Sequence, residues 1–211
     1  MKNANYGILA AGLIAAWFVF AVSAGALNVF NTDPNLPPLA LGLAVMIPIV
    51  VFLLWFATSA EFRQFTLSLN PRILTFVQSW RIAGLAFLSL YTVGLLPGIF
   101  ALSAGWGDIA IGATAPWVAT KLVSFSHRRG FVFWQVLGIL DLVSAVTLGT
   151  TARLISPHGP ETAVMTVLPM SLIPTFAVPL FMMLHVISIA QAMRWKEHHA
   201  VYVEVQLPSA A

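Results

Sequence analysis

Residues 131–150 read FVFWQVLGILDLVSAVTLGT, with Asp141 as the one ionisable side chain and no proline. A hydrocarbon core of about 30 Å is crossed by ~20 helical residues, so this stretch is a membrane span by length alone. Working outward, comparable apolar runs fall at 7–30, 39–58, 73–101, 109–126 and 164–192. The run at 109–126 is the weakest and holds Lys121. The expected fold is all-α: a polytopic membrane bundle of six transmembrane helices, some of them proline-kinked. Six spans take ~120 residues and leave too few for a soluble domain of typical size. Residues 1–211 are therefore expected to form a single integral membrane domain.

Composition agrees. Hydrophobic residues make up 59% of the chain and charged residues 8%, with mean hydropathy +0.90. A soluble domain carries ~25% charge and could not hide this much apolar surface. Disorder and a basic nucleic-acid-binding surface are excluded, so the lipid bilayer is the first partner and nucleic acid is not one. The chain has no cysteine, which excludes disulfides, thiolate metal sites and cysteine nucleophiles.

The connections carry the chain breakers. Asn31-Thr32-Asp33-Pro34-Asn35-Leu36-Pro37-Pro38 and Ser156-Pro157-His158-Gly159-Pro160 read as loops. Asn70-Pro71 reads as a helix cap followed by a proline at the first helical position. In a six-span chain Lys2, Arg63, Arg72, Lys121, Arg128, Arg129, Arg194 and Lys196 fall on one side, and Arg153 on the other. The positive-inside rule then puts both termini in the cytoplasm, with the 102–108 segment outside. Lys2 and Ala24-Gly25-Ala26 resemble a cleaved leader, but the apolar run continues to Phe30 and is expected to be retained as a span. Trp17 and Trp117 fall mid-span and are expected to be packed. Gly12/Ala16 and Ala21/Gly25 are spaced four apart, which favours close helix contact within the bundle.

Ionisable groups inside a span are costly and stand as functional candidates. Asp141, His185 and Arg81 lie ten residues after Phe131, nine before Arg194 and nine after Arg72. At 1.5 Å per residue each is ~13–15 Å deep from the same side. Buried charges seek partners, so an intramembrane polar cluster of Asp141, His185 and Arg81 is expected. Each also has a plainer reading: Arg81 as an interfacial residue, Asp141 as a hydrogen-bonding carboxyl, His185 as a packed core histidine. Gly138, Asp141, Ser144 and Ala145 share one helix face.

Span six carries Pro169, Pro174 and Pro179, which remove amide donors and free the carbonyls of Met165, Met170 and Thr175. A kink or gate is expected there. Met182 and His185 are three apart, a thioether and an imidazole suited to copper or haem, but no second intramembrane histidine accompanies them. They are weak metal candidates. No cofactor and no catalytic residue is assigned, and an enzyme is not the leading reading.

Gly105-Trp106-Gly107-Asp108 resembles the G-x-G-D motif of intramembrane aspartyl proteases of the presenilin type. That chemistry needs two carboxylates sharing a proton. The likeness ends after four residues, and Asp108 is expected to cap the fourth span instead. More broadly, Trp80-Arg81, Leu96-Pro97 with Phe100-Ala101, Ala104–Asp108, Gly138–Leu142, Leu168-Pro169, Ile173-Pro174, Pro179-Leu180 and His185 resemble a group of small uncharacterised bacterial multi-pass membrane proteins. The resemblance covers roughly residues 80–190; it implies a bacterial inner membrane and lends no activity. Two functional expectations follow from the intramembrane charges: a small proton-linked transporter, or an accessory or assembly subunit contacting other membrane subunits or a second copy. A membrane enzyme or haem/copper protein using His185 is the alternative.

Overall fold

The computed structural model describes the backbone of residues 2–31, 38–155 and 160–206, and the side chains of 6–31, 38–152 and 160–195. The readings placed on the 32–37 and 156–159 loops, and on the side chains of Lys2, Arg153 and Lys196, lie outside the described residues. The described elements are helices and turns, with no strand among them. They are α1 (Lys2–Ala26), α2 (Leu39–Thr58), α3 (Ala60–Ser68), α4 (Pro71–Val77), a 3-10 segment (Gln78–Gly84), α5 (Leu85–Thr92), α6 (Gly98–Lys121), α7 (Arg128–Ile155) and α8 (Val178–Gln206). A 3-10 turn at Ala163–Thr166 and a π turn at Ile173–Ala177 precede α8.

Six of these stretches are long and apolar enough to cross a membrane: Tyr6–Ala26, Leu39–Thr58, Pro71–Thr92, Gly98–Lys121, Arg128–Ala152 and Ile173–Trp195. The chain is a multi-pass helical membrane protein. The boundaries of spans three and four differ from the sequence reading. The apolar run at 73–101 is not one helix. It ends at Thr92, where Gly94 at φ +74° takes the left-handed conformation. Gly94 N–H donates to Tyr91 and Leu95 N–H donates to Leu90, the paired bonds of a Schellman stop. Pro97 then opens α6. The turn is hidden from hydropathy because its residues include Leu95 and Leu96, and Leu96 is fully buried. In consequence the segment at 102–108 is helix rather than an external loop, and Asp108 is not a cap. It sits ten residues inside α6.

The sixth span also begins later than expected. Pro169 precedes it, on a cis peptide bond after Leu168. Pro174 lies in the π turn, and Pro179 is buried in the first turn of α8. The Thr175 carbonyl that Pro179 leaves without a helical donor accepts from the indole of Trp17 at 3.1 Å. This bond and the ring of Phe176 at 4.8 Å hold Trp17 against span six. Trp117, expected to be packed, is exposed instead.

At one end of the bundle, α3 lies between spans two and three, capped by Ser59, whose side chain accepts from Phe62 N–H at 3.2 Å. Asn70 caps α4 by accepting from Arg72 N–H at 2.9 Å, ahead of Pro71. Gln191 of α8 donates to the Leu69 carbonyl at 2.7 Å, and the rings of Phe131 and Trp195 meet at 5.2 Å, so spans three, five and six converge at this end. The opposite half is filled by Phe87, Leu96, Phe100, Ala101, Ala104 and Met165, all buried.

Candidate functional site

The third span changes winding at mid-length. In a 3-10 segment, side chains at i and i+3 eclipse, so Gln78, Arg81 and Gly84 line up on one side. All three are buried. That line faces α6, α7 and α8.

Arg81 is the centre, with its side chain 1% exposed. Its Nε donates to Asp108 Oδ1 of α6 at 2.7 Å. Its Nη2 donates to Asp141 Oδ2 of α7. Its Nη1 contacts the Gly138 carbonyl at 3.3 Å and His185 Nε2 of α8 at 3.2 Å. One guanidinium thus joins four helical segments. Arginine has donors only, so His185 must accept at Nε2 and carry its proton on Nδ1. Nδ1–H then donates to Gln135 Oε1. The Gln135 amide donates to Thr75 Oγ1 at 3.3 Å, and Thr75 donates to the Pro71 carbonyl at 2.8 Å. Every donor in this chain points away from Arg81. Gln78, one 3-10 turn before Arg81, donates to the Phe181 carbonyl at 3.3 Å.

The structure therefore brings Asp141, His185 and Arg81 together and adds Asp108. Arg81 and Asp108 each lie ten residues into their spans, Asp141 thirteen and His185 twelve. All four are thus ~15–20 Å from the start of their spans, near mid-membrane. Arg81 is not interfacial: residues 71–77 form the start of the span, and Arg81 is buried.

Glycines make the cluster possible. A Cβ on Gly138 would collide with the His185 ring, and one on Gly107 with the Asp141 carboxylate. A Cβ on Gly84 would stand 2.6 Å from Asp108 Cβ, and one on Gly112 would stand 2.5 Å from the Ile82 backbone nitrogen. Gly105 and Gly112 lie two turns apart on α6 and let the third span approach closely, as small residues do between membrane helices. The G-x-G-D tetrapeptide thus serves here to clear space and supply a carboxylate. Asp108 and Asp141 are bridged by a guanidinium rather than by a shared proton, which separates this arrangement from an aspartyl protease dyad. Gln135, Thr75 and Gln78 carry no sequence signal beyond being polar in an apolar run.

Both ring nitrogens of His185 are engaged, by Arg81 and Gln135. Met182 packs instead against the apolar group of Val45, Leu142 and Val178. No group of three or more potential metal ligands occurs among the described residues. Of the three prolines, Pro174 and Pro179 border the cluster's helix, while Pro169 lies outside it. On the shared face of α7, Gly138 and Asp141 contact the cluster and Ser144 donates to the Asp141 carbonyl at 2.8 Å. Ala145 packs into the apolar half.

No curated protein and no solved structure matches the chain. A family model does, over residues 37–193, a stretch that holds the whole cluster. The chain belongs to the family described as Domain of unknown function (DUF8737).

Proposed function

We propose that this protein is a small proton-linked transporter of the bacterial inner membrane, with the Asp108–Arg81–Asp141 group as its proton-carrying element. The observation that carries this reading is one guanidinium shared by two carboxylates from different helices. With both acids ionised the group bears one uncompensated negative charge near mid-membrane, where such a charge is costly. One added proton neutralises it. A site that alternates between these two states changes charge as it loads and unloads, as a coupling site must. Both carboxylates keep some exposure, 14% for Asp108 and 13% for Asp141, while Arg81 between them has almost none. Asp141 is the preferred carrier, and the proline-broken start of span six is the natural moving part.

The test is proton uptake by vesicles reconstituted with the protein across a broad substrate panel. Asp141→Asn keeps shape and hydrogen bonding but fixes the neutral state. We expect this variant to insert and melt like the wild type, within a few degrees, and to lose proton-dependent flux. Wild-type vesicles that move no protons with any substrate would overturn the reading.

The second reading is an accessory or assembly subunit. It is favoured by the outer faces of α1 and α2, where Gly12 and Gly42 have nothing packed over them. Co-purification of a stoichiometric partner from native membranes supports it. For orientation, the arginine distribution puts the α3 end and both termini in the cytoplasm. Labelling of Ser68→Cys by an impermeant reagent only from inside is the expected result.

A further inference from the structure

A column of buried polar side chains runs from the cluster toward the α3 end. On the third span it is Thr75, Gln78 and Arg81; on the sixth it is His185, Ser188 and Gln191; Gln135 of α7 stands between them. Each is at least 95% buried. The two rows match in depth. Counting from Pro71, Thr75 and Gln78 lie four and seven residues in; counting back from Trp195, Gln191 and Ser188 also lie four and seven residues in. At 1.5 Å per residue these pairs sit ~6 and ~10 Å from the same end. α4 and α8 pack against each other, so the rows face one interior.

Three side-chain atoms in this column have no hydrogen-bond partner among the described residues: Gln78 Oε1, Ser188 Oγ and Gln191 Oε1. Only one other such atom occurs among the described residues, on Ser171 outside the column. Buried polar atoms in native proteins are satisfied by protein or by ordered water. The usual escape for a helical hydroxyl is its own helix: Thr75, Ser89 and Thr114 donate to carbonyls four residues back. Ser188 does not. Gln78 has committed its amide nitrogen to Phe181, and Gln191 has committed its own to Leu69, leaving two carbonyl oxygens as acceptors. Gln78 Oε1 and Ser188 Oγ at one depth, with Gln191 Oε1 one turn nearer the α3 end, form the setting in which an internal water makes its usual ~3 bonds. On the far side of the cluster Phe87, Leu96, Phe100 and Met165 pack together and carry no side-chain oxygen or nitrogen to bind water.

We infer that the column is a water-binding path, with internal waters bridging Gln78, Ser188 and Gln191, and that it gives the Arg81 cluster aqueous contact with the α3 end. Its role as a proton route rests on the transporter reading; its hydration does not.

Two measurements separate these points. The first is water-edited solid-state NMR on the full chain in lipid bilayers. Magnetisation from water is expected to reach the side-chain amides of Gln78 and Gln191 nearly as fast as exposed Arg129, and Phe100 several-fold more slowly. Build-up at both glutamines as slow as at Phe100 overturns the inference, whatever the protein transports. The second is proton flux in vesicles carrying Gln78→Met or Ser188→Ala, which remove an acceptor at nearly constant volume. A several-fold slower flux than wild type supports the column as the proton route. Fast water transfer with wild-type flux in both variants leaves the waters in place and overturns their role in proton supply. Fast water transfer with no flux in wild type keeps the hydration and sinks only the transporter reading.

Discussion

Spans one and two differ from the other four in what they bury. In each of the first two, 11% of the most apolar stretch is buried, against 28–39% in spans three to six. The first pair presents Ile8, Leu43, Leu54 and similar side chains outward and contributes no charged group to the interior. The last four enclose Arg81, Asp108, Asp141 and His185. Both groups are apolar enough to be membrane spans, so hydropathy does not tell them apart. What separates them is how many of their glycines are pressed by another helix. A Cβ on Gly7, Gly12 or Gly42 would meet nothing within 4 Å, and Gly25 alone of the first pair's glycines is tightly packed, against Leu168 and Ser171, whereas Gly84, Gly105, Gly107, Gly112 and Gly138 each sit against another helix.

The strongest way to break this comparison is to remove the cation at the centre. Arg81→Leu leaves two carboxylates buried without a partner, and breaking a buried ion pair from one side costs ~3–5 kcal/mol. We expect little folded protein by detergent-resistant gel filtration. Adding Asp108→Asn and Asp141→Asn to that variant should recover much of the yield, because it removes the charges left behind. If Arg81→Leu alone melts like the wild type, the cluster does not hold the four spans together.

A smaller effect is expected at the glycines of the core. Gly138→Ala drives a methyl group into the His185 ring, and overpacking of this kind typically costs ~1–3 kcal/mol. The same change at Gly107 presses on the Asp141 carboxylate. Thermal melts in one detergent should show both variants below wild type. Smallest of all is Gly12→Ala on the peripheral pair. With open space around it, the added methyl should be neutral or should raise stability by up to ~1 kcal/mol through helix propensity. A Gly12→Ala loss as large as that of Gly138→Ala would show that α1 is packed by something beyond this chain.

Much of this division could be read from residue order, and some could not. Asp141, His185 and Arg81 stand out because ionisable side chains are rare in apolar runs and their spacing from Phe131, Arg194 and Arg72 gives similar depths. Asp108 reads as a span edge because hydropathy draws the start of the fourth span at 109, eleven residues past its true start at Gly98. The stop at Gly94 and restart at Pro97 lie within an unbroken apolar run, and Gly94 followed by Pro97 was the available signal. The third span's change of winding left no trace, since Gln78–Gly84 has the composition of any span edge. The roles of Gly107 and Gly138 depend on which helix faces them, which only tertiary packing decides. Membrane orientation rests on lysine and arginine placement.

The 3-10 segment at the middle of span three has a mechanical meaning. Such a helix rises ~2.0 Å per residue and turns 120°, against ~1.5 Å and 100° in an α-helix. Over the seven residues Gln78–Gly84, rewinding to α geometry would shorten the span by ~3.5 Å and rotate α5 relative to α4 by ~140°. The segment is a screw with Arg81 on its thread, so its length and the direction of its one cation cannot change independently.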